Sequence, residues 1–222
     1  MKIICLSFDD GTIYDLRFIE LLNKYGLKAT LNLNSGLESF VWYYNNTFPI
    51  RRLELRSVVD KYVNHEVAAH SLTHPYFSSL NKEEMIKEVE EDVNNLSSIF
   101  GYRVVGFAFP FHDQTEDNII TIKDNVPLSY IRYSCLKNDY IPSDRYHIHI
   151  NALYDDKDIY EKLEQFKNNT LDNSLFVIAG HAYEFEVKND WDKIERLLSY
   201  LSNEKELIVL TMKEAVEVLF GK

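Results

Sequence analysis

Along this chain, short apolar runs alternate with longer stretches in which apolar residues recur every three or four positions. Residues 3–8 form a nearly unbroken apolar run of buried-strand length. Leu16, Ile19, Leu22 and Tyr25 then follow at helical spacing up to Gly26, a residue suited to a helix C-terminus. Residues 29–33 predict the next strand, 51–63 carry a helical pattern, and 65–69 read as a short strand. Asn81 with Glu84 three positions on has the form of a capping box, after which Met85, Val89, Leu96 and Phe100 line one face of a helix ending near Gly101. Further strands are predicted at 104–109, 129–134, 146–150, 175–179 and 207–210, and helices near 157–168, 191–201 and 212–219. Such regular alternation implies a parallel sheet or barrel. No linker, low-complexity stretch or fixed-period repeat divides the chain, so residues 1–222 read as one domain.

Composition narrows the possibilities. The chain has 222 residues, 45% of them hydrophobic, which is enough for a sizeable core and excludes disorder as the main state. A formal net charge of −11 sets its field against polyanions, so nucleic acid is not an expected partner. No run approaches the roughly 18–20 apolar residues that span a bilayer. The opening residues reach Asp9 and Asp10 too soon for a signal peptide, so neither a membrane nor export is expected and the expected location is cytoplasmic. Cys5 and Cys135, far apart in apolar surroundings, read as buried thiols rather than a disulfide framework.

In parallel α/β folds, ligands gather at the carboxyl ends of the strands, which makes the polar residues after each apolar run the informative ones. Asp9 and Asp10 leave the first strand directly into Gly11. Adjacent carboxylates there either repel, take up a proton or share a cation, although Asp-Asp-Gly also suits a plain turn with capping duty. His70 and His74 lie four residues apart, a spacing that a helical turn can place on one face as metal ligands, or that serves a hydrogen-bonded structural pair before Pro75. The zincin pattern is absent, since Ala69 stands where a second histidine after His65-Glu66 would be required. Asp10, His70 and His74 together make a carboxylate and two imidazoles, a set suited to zinc or a similar divalent ion with open positions for water and substrate. Asp9 is then placed to act as base and His181, after the 175–179 strand, as acid.

With these residues in view, the chain resembles the polysaccharide deacetylases with NodB homology, carbohydrate esterase family 4. Ser7-Phe8-Asp9-Asp10-Gly11 is similar to that family's first motif, whose first aspartate is the catalytic base and second a metal ligand. His70-Ser71-Leu72-Thr73-His74 is similar to its second motif, whose histidines complete the metal triad. Residues 28–34 resemble the family's second strand, Phe107-Ala108-Phe109-Pro110-Phe111 a variant of its third motif, and Ile178-Ala179-Gly180-His181 the fifth, which carries the catalytic histidine. The resemblance implies a distorted (β/α) barrel of about seven parallel strands and metal-dependent removal of an N-acetyl group from an amino sugar, oligosaccharide or polysaccharide. It implies a divalent ion, zinc above cobalt, nickel or manganese, and an oxyanion donor at the backbone N–H of Phe111.

The chain departs from the pattern in places. Many members carry, in the third motif, an arginine paired with the catalytic aspartate, and here that place holds Ala108. Arg132, on a later predicted strand, either supplies the guanidinium from a neighbouring position or is a surface arginine. For the fourth-motif aspartate, Asp139 and Asp144 are the candidates, and His112-Asp113 replaces the glycine expected after the third motif. His147 and His149 share one strand face by period two, with a structural role favoured over a place in the cleft. Among Tyr14, Trp42, Tyr43, Tyr44, Tyr76 and Tyr183, the stretch 42–46 in a loop-like context is the first choice for stacking on a sugar, with Tyr14 a second substrate contact. The rival readings are a catalytically silent carbohydrate-binding barrel and a hydrolase acting on another small amide or an O-acetyl ester.

Overall fold

The computed structural model of the protein describes residues 1–221. Its strands and helices run β1 (Lys2–Asp9), α1 (Asp15–Lys24), β2 (Thr30–Leu33), β3 (Val41–Tyr44), β4 (Phe48–Arg51), β5 (Glu66–Ala69), α2 (Lys82–Phe100), β6 (Gly106–Ala108), α3 (Glu116–Asn125) and β7 (Tyr130–Leu136). They continue as β8 (Ile148–Ile150), β9 (Ala152–Leu153), α4 (Ile159–Lys167), β10 (Ser174–His181), α5 (Ala182–Val187), α6 (Trp191–Asn203), β11 (Leu207–Leu210) and α7 (Met212–Phe220).

The main sheet is parallel throughout and is ordered β8-β7-β6-β5-β2-β1-β10-β9. β8 and β9 are separated only by Asn151, whose N–H donates to the Val177 carbonyl (2.8 Å) and whose side-chain oxygen accepts from Val177 N–H (2.8 Å). One interrupted strand therefore pairs with β7 at its start and β10 at its end, closing the sheet into a nearly complete distorted barrel. Counting β8 and β9 as one, that barrel has the seven parallel strands expected. β11 pairs with the first half of β1 (Lys2–Cys5), below the point at which β2 takes over at Ser7. Both faces of β1 are buried, as befits a run without polar alternation.

Local signals account for most of the frame. The Asn81–Glu84 capping box forms in both directions (2.9 and 3.0 Å), and α2 stops at Gly101, whose φ of 74° is the left-handed value that glycine tolerates. A second capping box, Thr211 with Glu214, opens α7. The helix expected over 51–63 does not form. Its place is taken by the end of an antiparallel hairpin, β3–β4, and two 3₁₀ turns, Leu55–Ser57 and Val59–Tyr62. Asn45 and Asn46, at φ 49° and 59°, supply the left-handed pair that a tight hairpin turn requires. Val58, Val59 and Val63, β-branched and disfavoured in helices, leave the following stretch in short turns that bury Leu55 and Tyr62. The stretch 42–46 is accordingly strand and turn rather than loop. The apolar pattern does not predict helices α3 and α5: the isoleucines of α3 look like strand residues, and α5 follows β10 without a side-chain cap. Cys5 is buried as expected, whereas Cys135 is partly exposed; both are free. Among the described residues no helix is long and apolar enough to cross a membrane.

Candidate functional site

At the carboxyl ends of the barrel strands lies a cavity of 670 Å³ lined by Asp9, Asp10, His70, His74, Arg132 and His181 among others. Strand register brings them together. Asp9 pairs across the sheet with His181 on one side and with Asn32 on the other, and Ala108 pairs with Arg132. After Asp9 the chain leaves the sheet through Asp10 at φ 89° and Gly11 at φ 65°. The left-handed φ at Gly11 disfavours any larger residue in the third position of Asp-Asp-Gly, and a Cβ there would also displace the Leu33 Cδ2 methyl, 2.9 Å away.

His70 and His74 meet with ring centroids 5.0 Å apart, but not on a helical turn. Ser71 and His74 adopt left-handed backbone angles (φ 69° and 57°), and Ser71 Oγ accepts the His74 N–H at 3.1 Å, folding the loop back on itself. Among the described residues, Asp10, His70 and His74 form the group whose ligand atoms lie within 4.8 Å of one another. His70 Nδ1 donates to the Ala108 carbonyl (2.8 Å), which fixes the tautomer and leaves Nε2 with its lone pair facing the acidic pair. Burial pushes the His70 imidazole down to about 4 against the pull of Asp9, and burial lowers His74 as well, so both present neutral nitrogens. Burial works against the Asp10 carboxylate, yet Arg52 and the three histidines hold it well below the usual range. One ionised carboxylate and two neutral imidazoles, one of them oriented by a carbonyl behind it, fit a divalent cation such as zinc.

Asp9 is held on one oxygen. Its Oδ1 accepts from Asn32 Nδ2 (2.6 Å) and from Arg132 Nη2, while Oδ2 faces His70 Nε2 at 3.9 Å. Arg132 is thus a fully buried residue at the place left open by Ala108, and not a surface one. His181 Nε2 lies 4.0 Å from Asp10 Oδ2, and its Nδ1 is 3.3 Å from Glu184 Oε2. Burial opposes charge on His181, but the Glu184 hydrogen bond and the two aspartates push its pKa up to about 9. Glu184 in turn is held down to about 2, against its burial, by His181 and by Lys188 at 2.8 Å.

The remaining candidates divide. Trp42 and Phe111 line the cavity; Phe111 has φ 55° and stacks on Tyr76 at 4.1 Å between centroids. Tyr183 also lines it and meets Trp42 edge-on at 5.6 Å. Tyr14 is not among the lining residues, because at the start of α1 its ring turns back against the hydrophobic core. Neither candidate for a fourth-motif aspartate reaches His181: Asp139 caps Ile141 N–H (3.1 Å), and Asp144 pairs with His147 (2.8 Å). His149 binds the Asp139 carbonyl (2.9 Å) and His147, one residue before β8, lies between Asp144 and Glu116, so neither lines the cavity. The carboxylate behind His181 is Glu184, and its spacing of three residues was the available signal. Arg52, Asn34 and Asn32 were also missed; Arg52 reaches the site from a hairpin that no local pattern announced.

The model of the family described as polysaccharide deacetylase matches residues 1–131. No curated protein matches the chain. Among solved structures, a family 4 acetyl xylan esterase from Clostridium thermocellum in complex with a cobalt ion superposes with TM-score 0.61 at 18% identity, covering 98% of this chain and 91% of that one. A peptidoglycan deacetylase from Bacillus subtilis gives TM-score 0.59 at 19% identity over 98% of this chain and 91% of that one. A family 4 pseudoenzyme from Bacillus anthracis gives 0.61 at 17% identity over 97% and 65%. At these identities the structures speak for the fold, and the family model, spanning more than half of the chain, settles the lineage: the chain belongs to the polysaccharide deacetylase family.

Proposed function

We propose that the protein is a metal-dependent hydrolase that removes N-acetyl groups from an acetylated amino sugar, free or in an oligosaccharide or polysaccharide, and that residues 1–222 act as one catalytic domain. The observation that carries this reading is the convergence of Asp10, His70 and His74 with Asp9 and His181 on their flanks. When bound, a divalent ion, zinc ahead of cobalt, nickel or manganese, supplies a Lewis acid for an amide carbonyl and lowers the pKa of water. Asp9 Oδ2 takes the proton of the attacking water, because Oδ1 is already engaged by Arg132 and Asn32. The Phe111 backbone N–H faces the developing oxyanion. His181 gives its Nε2 proton to the departing amine, with Glu184 on Nδ1 holding the ring. Trp42 and Tyr183 offer aromatic faces for a sugar ring, in keeping with a carbohydrate partner.

Two neighbours favour rivals. The acetyl xylan esterase points to an O-acetyl ester, whose carbonyl the same groups serve, and the pseudoenzyme, with Ala108 here, to a barrel that binds without turnover. The deciding experiment measures acetate release by zinc- or cobalt-loaded protein from chitooligosaccharides, peptidoglycan fragments, acetylated xylooligosaccharides and small acetylated amines. Release from the amides that disappears in Asp9→Asn supports the proposal. Release from the esters alone moves it to the ester reading, and sugar binding without release to the silent barrel.

A further inference from the structure

Three of the residues that carry or flank the cation-binding groups, Asp10, Ser71 and His74, have left-handed backbone angles without being glycine. Each such angle costs about 1–3 kcal/mol and persists only where the surroundings over-determine it. At Asp10 and at His70-Ser71 the surroundings converge on two buried side chains outside the reacting set, Arg52 and Asn34.

Arg52, just beyond β4, is 6% exposed. Its Nη2 donates to Asp10 Oδ1 at 3.0 Å and its Nη1 to the Asp10 carbonyl, so one guanidinium grips both the side chain and the strained peptide of the same residue. The same Nη1 donates to Asn34 Oδ1. Asn34, 3% exposed, then donates through Nδ2 to the carbonyls of His70 (2.5 Å) and Ser71 (2.7 Å). With two carbonyls on one side and a guanidinium on the other, only this orientation of the amide satisfies every partner. Arg52 is itself fixed from behind. It forms an antiparallel bridge to Thr12, Leu53 N–H donates to the Gly11 carbonyl (2.9 Å), and the Trp42 ring lies 5.0 Å from the guanidinium.

We propose that Arg52 and Asn34 are positioning residues forming a relay, Asp10–Arg52–Asn34–His70/Ser71, that sets the separation of the carboxylate and imidazole ligands before a cation arrives. This rests on the metal reading above. Charge and position make opposite demands on Arg52. As a cation beside a cation site it repels, so by Coulomb's law alone its removal tightens metal binding. As a support its removal loosens Asp10 and weakens binding, by the 10–100-fold typical of groups behind metal ligands. The sign of the change therefore separates the two.

The experiment measures zinc affinity of the purified apoprotein by competition with a chromophoric chelator, with the visible spectrum of the cobalt form as a second readout and metal-free thermal melts as the check on folding. Arg52→Met and Asn34→Ala are each expected to weaken zinc about 10–100-fold and to broaden the cobalt spectrum. Because both cut the same relay, the double variant is expected to bind about as weakly as the weaker single, not by the product of the two losses. Arg52→Lys, able to reach one acceptor on Asp10 but not both, is expected to recover part of the affinity. Binding by Arg52→Met as tight as wild type or tighter, or a fully multiplicative double variant, overturns the relay. Should Arg52→Met fail to fold, Asn34→Asp keeps the size and the Arg52 contact while removing both donors to the His70 loop, and unchanged affinity in it overturns the proposal equally. Asp10→Ala and His74→Ala separate the two levels: if these bind zinc like wild type, the metal reading fails; if they lose it while Arg52→Met and Asn34→Ala do not, only the relay fails.

Discussion

The two ends of the barrel each gather buried polar groups, and they dispose of them differently. At the amino end, Glu66 Oε1 accepts from the Tyr130 hydroxyl (3.0 Å), and Oε2 accepts from Thr30 Oγ1 (2.8 Å) and Lys213 N–H (2.9 Å). Thr30 Oγ1 also receives Met212 N–H (2.8 Å), so the carboxylate and its partners pin the start of α7 beneath the sheet. Glu66 is half-buried at the surface, but both of its oxygens are engaged by protein groups. At the carboxyl end, Asp9 keeps Oδ2, His70 keeps Nε2, and His181 presents Nε2 to the same cavity. Similar residue types thus make a structural lock where their partners are protein groups and a candidate reaction centre where lone pairs and protons are left over.

Three substitutions or conditions sharpen that contrast. The largest expected effect is at the open end: Asp9→Asn removes the proposed base and is expected to lower kcat per folded molecule about 10²–10⁴-fold, with some loss of stability because the buried Arg132 guanidinium loses its carboxylate partner. Steady-state acetate release checks it, and an unaltered kcat would break the distinction between the two ends. Next, Glu66→Leu strands the Tyr130 hydroxyl, the Thr30 hydroxyl and the Lys213 N–H, and is expected to destabilise the fold by roughly 3 kcal/mol while leaving turnover per folded molecule as it was. Denaturant unfolding alongside activity titrated to folded protein tests this. The smallest effect concerns His65, also at the amino end. Burial pushes its imidazole down to about 4 from 6.5, and neither ring nitrogen has a partner. The unfolded chain takes up a proton as pH falls through 6.5 and the folded one does not, so this contribution is fully present above that value and is lost progressively down to about 4. At about pH 5 it is expected to lower stability by about 2 kcal/mol, and His65→Phe is expected to flatten that part of the stability profile. An identical slope in the variant would show that His65 does not carry it.

How far the molecule is legible from its sequence depends on the range of the interactions. The Asn81–Glu84 box, the Gly101 stop and the apolar run into Asp9-Asp10 are local, and each appears in the structure within a residue or two. His70 and His74 were recognisable as a pair, but the turn that joins them depends on left-handed angles at Ser71 and His74 that no helical spacing implies. Arg52 was invisible because it acts across 42 positions, from a hairpin hidden under an apparent helical pattern. Glu184 is readable in principle, since three residues past His181 is the spacing at which one helical turn returns a carboxylate to the ring, whereas Asp139 and Asp144, the candidates the fourth motif suggests, are engaged elsewhere.

Ala108 and Arg132 are neighbours in register on adjacent strands, so one of the smallest side chains lies beside the largest fully buried one. The pair conserves volume and charge as a unit: a second guanidinium at 108 would find its space already filled, and trimming 132 alone would open a hole and orphan Asp9. Either position therefore blocks the other's single-step change, and exchange between the two arrangements requires both residues to move together.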